Sequence, residues 1–328
     1  MATLSGLGHK SLLSLIRKSG MPLAERTLHA RRLHELPDDD SPANEVSELL
    51  VQQVQSSVGE AVDVKTLFSN NAFDVIVEVA FAKALVLVTG ANQGIGYAIS
   101  QLLASSGKYH VLVSSRSAAK ASAAIEKLTT EGAADAAALT PLTLDVTDDA
   151  SITAAAQTVQ DKFGSLDILI NNAGIGVGEP NTSVRDQFRA VFEVNVFGVA
   201  AVTDAFLPLL KASKYADRRI VNVTSGLGLI SMAGKKGYTF NAAAWYAPDY
   251  RSSKAALNMI TAAQSVKFAG DGITVVAAAP GMCRTKFTGG QGRKEAMDGA
   301  KVIVRAATEG NPAEVGGTYV CDEPSDGW

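Results

Sequence analysis

The chain has 328 residues, of which 47% are hydrophobic, and a formal net charge of -3 at pH 7. This provides enough apolar material for a large core, and so small a net charge gives no general attraction to nucleic acid. Two cysteines are too few for a disulfide framework, which favours a reducing compartment and predicts a cytoplasmic protein.

Histidine-based chemistry and a membrane span are also not expected. Of the four histidines, only His110 lies beyond the first 34 residues, so neither a Ser-His-Asp triad nor a metal site is predicted in the main body. The most apolar region, around residues 75–88, is interrupted by Glu78 and Lys83. The expected partner is a small molecule, with no nucleic acid and no membrane.

Residues 1–81 are interpreted as an N-terminal extension of unknown role, mainly helical or disordered. Helical patterns at 11–21 and 44–58 are separated by the polar break LPDDDSPAN. The first 34 residues are basic and contain several serines, as in a mitochondrial presequence. A docking helix, a disordered tail and an artefact of gene annotation are the alternatives, so a mitochondrial location is the alternative to a cytoplasmic one.

From residue 82 to 328, short apolar runs alternate with longer alanine-rich helical patterns, which predicts βαβ units and a mainly parallel sheet. Continuous Val, Ile and Leu runs are typical of strands that are covered by helices on both faces. Strands are predicted at 84–89, 110–115, 139–146, 166–173, 219–225 and 273–280. The fold class is therefore an α/β doubly wound, Rossmann-type domain.

The intervening segments have apolar residues at helical spacing and end in glycine, which indicates a helix C-terminus. These predicted helices span 97–107, 120–132 and 151–164. Further along, Pro248 marks the expected start of a helix, since proline is tolerated in a first turn.

The stretch TGANQGIG, residues 89–96, follows the first predicted strand and precedes a helix. Glycines here allow a tight turn and a close approach of the backbone to a pyrophosphate at the helix N-terminus. Their spacing is G-x-x-x-G-x-G and differs from the G-x-G-x-x-G dinucleotide fingerprint.

With this loop, the chain resembles the single-domain branch of the short-chain dehydrogenase/reductases. The resemblance continues in chain order through Asp145-Val146, NNAG at 171–174, Asn195, Ser225, Tyr250-x-x-x-Lys254 and PGMCRT at 280–285. It implies hydride transfer with a nicotinamide cofactor. The implied cofactor contacts are Gly90, Asn92, Gly94, Ile95, Gly96, Ser115, Arg116, Asp145, Val146, Asn171, Ala173, Gly174, Tyr250, Lys254, Pro280, Gly281 and Thr285.

The residues at the end of the second strand bear on the choice of cofactor. An acid there would accept hydrogen bonds from a ribose 2′-hydroxyl and repel a 2′-phosphate, but this chain has Ser115 and Arg116. A guanidinium can pair with the phosphate, so NADP(H) is predicted in preference to NAD(H). The alternative is a solvated surface arginine at the start of a helix.

Carbonyl reduction needs an acid that protonates the oxygen as negative charge develops. A tyrosine suits neutral pH only if a nearby cation favours its phenolate, and Lys254 lies four residues after Tyr250, on the same helix face. Tyr246 lacks such a partner, because Pro248 interrupts any helix between it and Lys254. Tyr250 is therefore the predicted acid. By resemblance, Ser225 orients the substrate carbonyl, Lys254 also contacts the cofactor ribose, and Asn195 anchors a water.

Between Ser225 and Tyr250 lie 24 residues that are rich in large rings, including Trp245 and Tyr246. These two are candidate substrate-binding residues, and packing of the insert onto the body is the alternative. The long insert resembles that of the family's carbonyl reductases, which favours a monomer over an oligomer. The glycine-rich segment 286–299 is either a mobile lid or a plain loop.

The predicted function is NADPH-dependent reduction of a ketone, aldehyde or quinone. Alternatives are an alcohol dehydrogenase working in the oxidative direction and a catalytically silent NADP(H)-binding redox sensor. The silent sensor is disfavoured because the Tyr250–Lys254 pair is present. An epimerase or dehydratase of the extended branch is disfavoured by its different glycine spacing and by the short chain that follows residue 285.

Overall fold

The computed structural model describes residues 83–176, 182–235 and 247–322. The N-terminal extension 1–81 lies outside the described residues, as do Trp245 and Tyr246. The proposed boundary near residue 82 and the substrate-binding roles of these two rings therefore stay predictions.

The domain is built on a seven-stranded parallel sheet. Its strands are β1 (Ala84–Val88), β2 (Tyr109–Ser115), β3 (Leu139–Thr143), β4 (Ile168–Asn171), β5 (Arg218–Val223), β6 (Ile273–Ala278) and β9 (Tyr319–Val320). They lie in the order β3-β2-β1-β4-β5-β6-β9. A second, two-stranded sheet pairs β7 (Cys283–Arg284) with β8 (Lys294–Glu295). The predicted doubly wound α/β fold is confirmed.

Strand β1 shows why the apolar runs are continuous. Its residues alternate between two cores, because successive side chains of a strand point to opposite faces. Val86 and Val88 belong to the core on one side of the sheet, whereas Leu85 and Leu87 belong to the core on the other. With helices on both sides, every position in the strand is buried.

The helices are α1 (Gly94–Ser105), α2 (Ala118–Thr130), α3 (Asp149–Phe163), α4 (Val184–Phe192), α5 (Gly198–Ala212), α6 (Ile230–Ala233), α7 (Pro248–Ala269), α8 (Ala296–Thr308) and α9 (Pro312–Val315). A π-helical turn, Glu193–Phe197, joins α4 to α5. Buried residues of α1, α2 and α8 contribute to one core, and those of α3, α5 and α7 to the other. The predicted glycines at the C-termini of the first three helices are confirmed: Gly107, Gly132 and Gly164 follow these helices and have positive φ.

The structure differs from the sequence prediction mainly where strands end. Strands β3, β4, β5 and β6 stop two or three residues before the predicted ends. The N–H groups of Leu144 and Thr224, one residue beyond β3 and β5, still donate to the neighbouring strands. Strand β9, the seventh strand of the main sheet, was not predicted, because a strand of two residues, Tyr319 and Val320, is too short to show a periodic pattern. They pair with Ala277 and Ala278 of β6.

The helical stretch Val184–Ala212 is, among the described residues, the one long and apolar enough to cross a membrane by length and composition. A helix in a protein core has the same composition. Here Val202, Phe206 and Leu210 are fully buried against the sheet. Core packing therefore accounts for part of the apolar character of this stretch.

Arg219 at the start of β5 is fully buried and has an extensive set of hydrogen bonds. Its guanidinium donates two bonds to the Asp217 carboxylate, of 2.6 and 2.8 Å. It also donates to the backbone oxygens of Ala306, Glu309 and Gly310 at 3.0, 2.5 and 2.7 Å. One side chain thus joins the sheet to the C-terminal end of α8, whose last carbonyls lack helical partners.

We expect Arg219→Met to destabilise the domain by about 3–5 kcal/mol, because it leaves a carboxylate and three carbonyls without their donor. Urea unfolding midpoints measure the effect. The control is Lys301→Met, whose side chain is 63% exposed in a surface ion pair with Asp298, and we expect it to cost less than about 1 kcal/mol. Equal midpoints for the two variants would contradict this account of Arg219.

Candidate active site

The glycine loop between β1 and α1 forms a close-packed turn. A Cβ on Gly96 would lie 2.5 Å from Nδ2 of Asn172 and 2.6 Å from the oxygen of Gly90, so a side chain has no room there. The N-cap residue Gln93 makes no side-chain capping bond, which leaves the first N–H groups of α1 open to an anion. Gly94 lies beside Thr285, where a Cβ would be 3.6 Å from the threonine methyl. This cradle fits a cofactor diphosphate.

The NNAG segment holds the glycine loop in place. The Nδ2 atom of Asn172 donates to the oxygens of Thr89 and Gly90 at 2.8 and 3.3 Å. The Thr89 hydroxyl in turn accepts from the backbone N–H groups of Asn172 and Ala173, both at 2.9 Å. Asn172, which was not among the predicted site residues, therefore ties the end of β4 to the end of β1.

The side chain of Asn171 faces the interior. It is 2% exposed and donates to Oγ1 of Thr203 at 3.1 Å and to Oδ1 of Asn222 at 2.9 Å. Its amide therefore links β4 to β5 and α5, and only its backbone remains for a cofactor. Ala173 and Gly174 follow in the loop above the sheet.

Arg116 extends from the end of β2 and is exposed. Within the described ranges, no ion pair or hydrogen bond of its guanidinium is found. The preceding Ser115 is buried, and its hydroxyl accepts a long bond of 3.4 Å from the N–H of Ser117. A charged and unpaired guanidinium at this edge suits a phosphate ligand.

Other predicted cofactor residues lie along the same edge of the sheet. The Asp145 carboxylate caps its own turn, accepting from the N–H and hydroxyl of Thr147 at 3.0 and 2.7 Å. The buried Val146 packs against Gly198, where a Cβ would be 2.6 Å from the oxygen of Val146. Asn92 and Ile95 belong to the glycine loop and the first turn of α1, and Pro280 and Gly281 follow β6.

Tyr250 and Lys254 share one face of α7, which begins at Pro248 as predicted. The Nζ atom of Lys254 lies 5.7 Å from the centroid of the Tyr250 ring. Among the described residues, Ala247 just before the helix is the one non-glycine residue with positive φ, at 48°. A left-handed alanine costs of order 1 kcal/mol, and such strain is often found at functional sites.

Lys254 is a buried cation. Its Nζ atom donates to the oxygen of Val223 at 2.8 Å, and the side chain is almost inaccessible to solvent. Burial disfavours the ammonium form and lowers the pKa of Lys254 from 10.5 to about 8. The group still carries most of its positive charge at neutral pH, so its field acts on the adjacent phenol.

Asn195 lies in the π-helical turn and is fully buried. It accepts from the N–H of Ile175 and donates to the oxygen of Ile175, both at 2.9 Å. It also donates to the Ser253 hydroxyl at 3.1 Å. A Cβ on Gly174 would lie 3.2 Å from Oδ1 of Asn195 and 3.7 Å from Nζ of Lys254, so these two groups flank the same glycine.

Ser225 begins a 3-10 turn, Gly226–Gly228, and its hydroxyl accepts from the N–H of Leu227 at 3.2 Å. Gly228 lies against α7, where a Cβ would be 2.7 Å from the carbonyl carbon of Lys254. The turn and the helix therefore pack backbone to backbone, which fixes Ser225 relative to the start of α7.

A family profile described as short chain dehydrogenase matches residues 84–296, the span that carries this site. The chain belongs to the short-chain dehydrogenase family. Short-chain dehydrogenase anuI of Penicillium roqueforti (strain FM164) is 56% identical over 245 residues, which are 74% of this chain and 96% of that relative. The family resemblance inferred from the motifs is thereby confirmed.

Two solved structures share the fold of this short-chain dehydrogenase. Salutaridine reductase from Papaver somniferum aligns with a TM-score of 0.61 and 26% identity, over 72% of this chain and 99% of that one. The NADPH-bound carbonyl reductase from chicken fatty liver aligns with a TM-score of 0.61 and 30% identity, over 72% of this chain and 95% of that one.

Three residues of this short-chain dehydrogenase help to form the site although the sequence analysis did not select them: Asn172, Ser253 and Gly228. Asn172 belongs to the NNAG motif and Ser253 immediately precedes Lys254, so both could have been selected from the motifs. Gly228 had no such signal, because its contact with α7 is a tertiary one. Among residues 83–176, 182–235 and 247–322, no group of three His, Cys, Asp or Glu could hold a metal ion.

Lys254→Met tests the buried charge in this short-chain dehydrogenase. Below about pH 8 the folded protein holds a buried ammonium, whereas above about pH 10.5 the amine is neutral in both states. The wild type should therefore have a lower free energy of unfolding than the variant at neutral pH. This difference should shrink as the pH rises from about 8 to about 10.5. Urea unfolding of both proteins at pH about 7 and about 10 measures it.

The matched control for this experiment is Lys267→Met, an exposed lysine on the same helix. Its stability relative to the wild type should not change with pH in this way. A difference for Lys254→Met that stays constant from neutral to alkaline pH would contradict the burial of a charged amine.

Proposed function

We propose that this short-chain dehydrogenase reduces a carbonyl compound with NADPH, and that Tyr250 donates the proton. The observation that carries the proposal is the buried Lys254, whose Nζ lies 5.7 Å from the centroid of the Tyr250 ring. The family uses nicotinamide cofactors, and a structural relative is an NADPH-bound carbonyl reductase. Both findings support the assignment.

The cofactor fits the described residues. The glycine loop and the uncapped start of α1 would hold the diphosphate, and Arg116 would pair with a 2′-phosphate. When bound, the cofactor supplies the hydride. By the family resemblance, Asp145 and Val146 would lie beside the adenine, and Asn171, Ala173 and Gly174 along the nicotinamide-side ribose. Pro280, Gly281 and Thr285 are the further proposed cofactor contacts.

The proton steps belong to the chain itself. The Tyr250 hydroxyl donates its proton to the carbonyl oxygen as negative charge develops there. The ammonium of Lys254 stabilises the resulting phenolate, because an opposite charge nearby favours the ionised form. The Ser225 hydroxyl, held on the turn that packs against α7, orients the carbonyl. Asn195 and Lys254 flank Gly174. We assign Lys254 the return of a proton to Tyr250, and Asn195 the anchoring of a water that connects Lys254 to solvent.

Tyr250→Phe should lower kcat by about a hundredfold to ten-thousandfold, the usual contribution of a general acid, while changing the Kd of NADPH far less, because the ring is retained. NADPH oxidation with a panel of quinones, aldehydes and ketones measures the rate, and cofactor fluorescence measures binding. The matched control is Tyr215→Phe, a half-buried tyrosine near the start of β5, which should retain activity.

Three outcomes would argue against the proposal. Unchanged activity in Tyr250→Phe would exclude Tyr250 as the acid. Tight NADPH binding by the wild type without turnover of any carbonyl compound or alcohol would favour the redox sensor. Turnover of alcohols with NADP⁺ alone would favour the oxidative direction.

Arg116→Ala should weaken NADPH binding about tenfold to a hundredfold, since charged hydrogen bonds contribute about 1.5–3 kcal/mol. The Kd of NADH, which lacks the 2′-phosphate, should stay the same. Arg189→Ala, another exposed arginine with 71% of its side chain accessible, is the control. An equal loss for both cofactors would show that Arg116 does not select the phosphate.

The predicted monomeric state and cytoplasmic location remain part of the proposal. They depend on the long insert and on the low cysteine content, respectively.

A further inference from the structure

Phe287 lies directly beside the proposed proton donor. Its ring centroid is 5.7 Å from that of Tyr250, with the two planes at 60° in an edge-to-face arrangement. On another side the ring meets Gly176 of the loop after β4, where a Cβ would lie 3.0 Å from Cζ and 3.2 Å from Cε1 of the phenylalanine. Phe287 therefore bridges the catalytic helix and this loop.

The turn that carries Phe287 is held by hydrogen bonds on both sides. The Thr288 hydroxyl donates to the oxygen of Cys283 at 2.7 Å, and the N–H of Gly290 donates to the oxygen of Thr285 at 2.9 Å. Strands β7 and β8 then pair across the base of the segment. The ring is consequently placed by a built turn, which distinguishes it from a side chain at the tip of a plain loop.

Part of the apolar surface of the Phe287 ring remains exposed to solvent. Phe287 is 51% exposed, although it already touches Tyr250 and Gly176. Because the two rings are in contact, a group attached to a carbonyl carbon whose oxygen reaches the Tyr250 hydroxyl can lie against Phe287. Burial of exposed aromatic surface by a flat ring is favourable, and aromatic pairs gain further from edge-to-face or offset-stacked geometry.

We propose that Phe287 is a specificity-determining residue that selects carbonyl compounds with a flat aromatic or conjugated ring next to the reacting carbonyl over short aliphatic ones. This inference rests on the proposed carbonyl reductase activity. Phe287 has no part in proton transfer, so its contribution is confined to the binding of the group beside the carbonyl.

The first experiment compares two substrates that share one reacting group, such as diacetyl and its phenyl-substituted analogue, chosen from compounds that the wild type reduces. Phe287→Ala should lower kcat/KM for the ring-bearing compound by about tenfold, the upper range of one aromatic pair, and leave the aliphatic compound within about twofold. Phe163→Ala is the control, because Phe163 is another partly exposed phenylalanine and lies at the end of α3.

A second measurement does not depend on turnover. The corresponding alcohols cannot react in the presence of NADPH, so their Kd can be obtained by calorimetry with the NADPH-bound protein. The ring-bearing alcohol should bind about tenfold more weakly to Phe287→Ala than to the wild type. The aliphatic alcohol should bind equally to both.

Gly176→Ala provides a test of the contact itself. Its new methyl would press on the Phe287 ring and displace it, so kcat/KM for the ring-bearing compound should fall. In the Phe287→Ala background the methyl meets no ring, and the same change should have little effect. The double-mutant cycle should therefore be strongly non-additive.

The outcomes separate this inference from the function on which it rests. Equal losses for ring-bearing and aliphatic substrates in Phe287→Ala, additive effects of the two substitutions, or a wild type that reduces only aliphatic compounds would each overturn the role of Phe287 and leave the reductase activity standing. A wild type that binds NADPH and reduces no carbonyl compound overturns both.

Discussion

All strands of the main sheet run parallel, so their carboxyl ends lie at one edge. The loops after β1, β4, β5 and β6 are separated by tens of residues in the chain, yet they line this single edge. Ligands of open α/β sheets bind there for the same geometric reason. Four segments that are far apart in the chain therefore meet at this edge: the glycine loop, the NNAG segment, Ser225 and the PGMCRT segment.

On this edge, one buried charge organises the proposed chemistry. Lys254 is enclosed by β5, the turn at Gly228 and the loop at Gly174. Burial lowers its pKa to about 8, and its field acts on the phenol one helical turn earlier. The π-helical turn carries Asn195, whose amide bonds both backbone groups of Ile175 in the adjacent loop.

In the proposed reaction, substrate choice depends on features that surround Tyr250 and Lys254. The aromatic ring of Phe287 reaches Tyr250 from a segment that starts more than thirty residues later in the chain, through a turn braced by Thr288 and Gly290. Such contacts leave no periodic pattern in a sequence. A relative can therefore keep the same hydride and proton chemistry while a few loop residues change the shape of the accepted compound.

The sequence by itself determined the parallel α/β fold, the glycine-rich turn, the helix start at Pro248 and the pairing of Tyr250 with Lys254. Each of these is local, since it depends on apolar periodicity, on proline and glycine conformation, or on side chains one helical turn apart. Only the tertiary structure decided the interior position of the Asn171 amide, the packing of Gly228 against α7, the bonds of Asn172 and Arg219, and the place of Phe287. These depend on segments that meet only when the sheet has formed, so no spacing within one segment could indicate them.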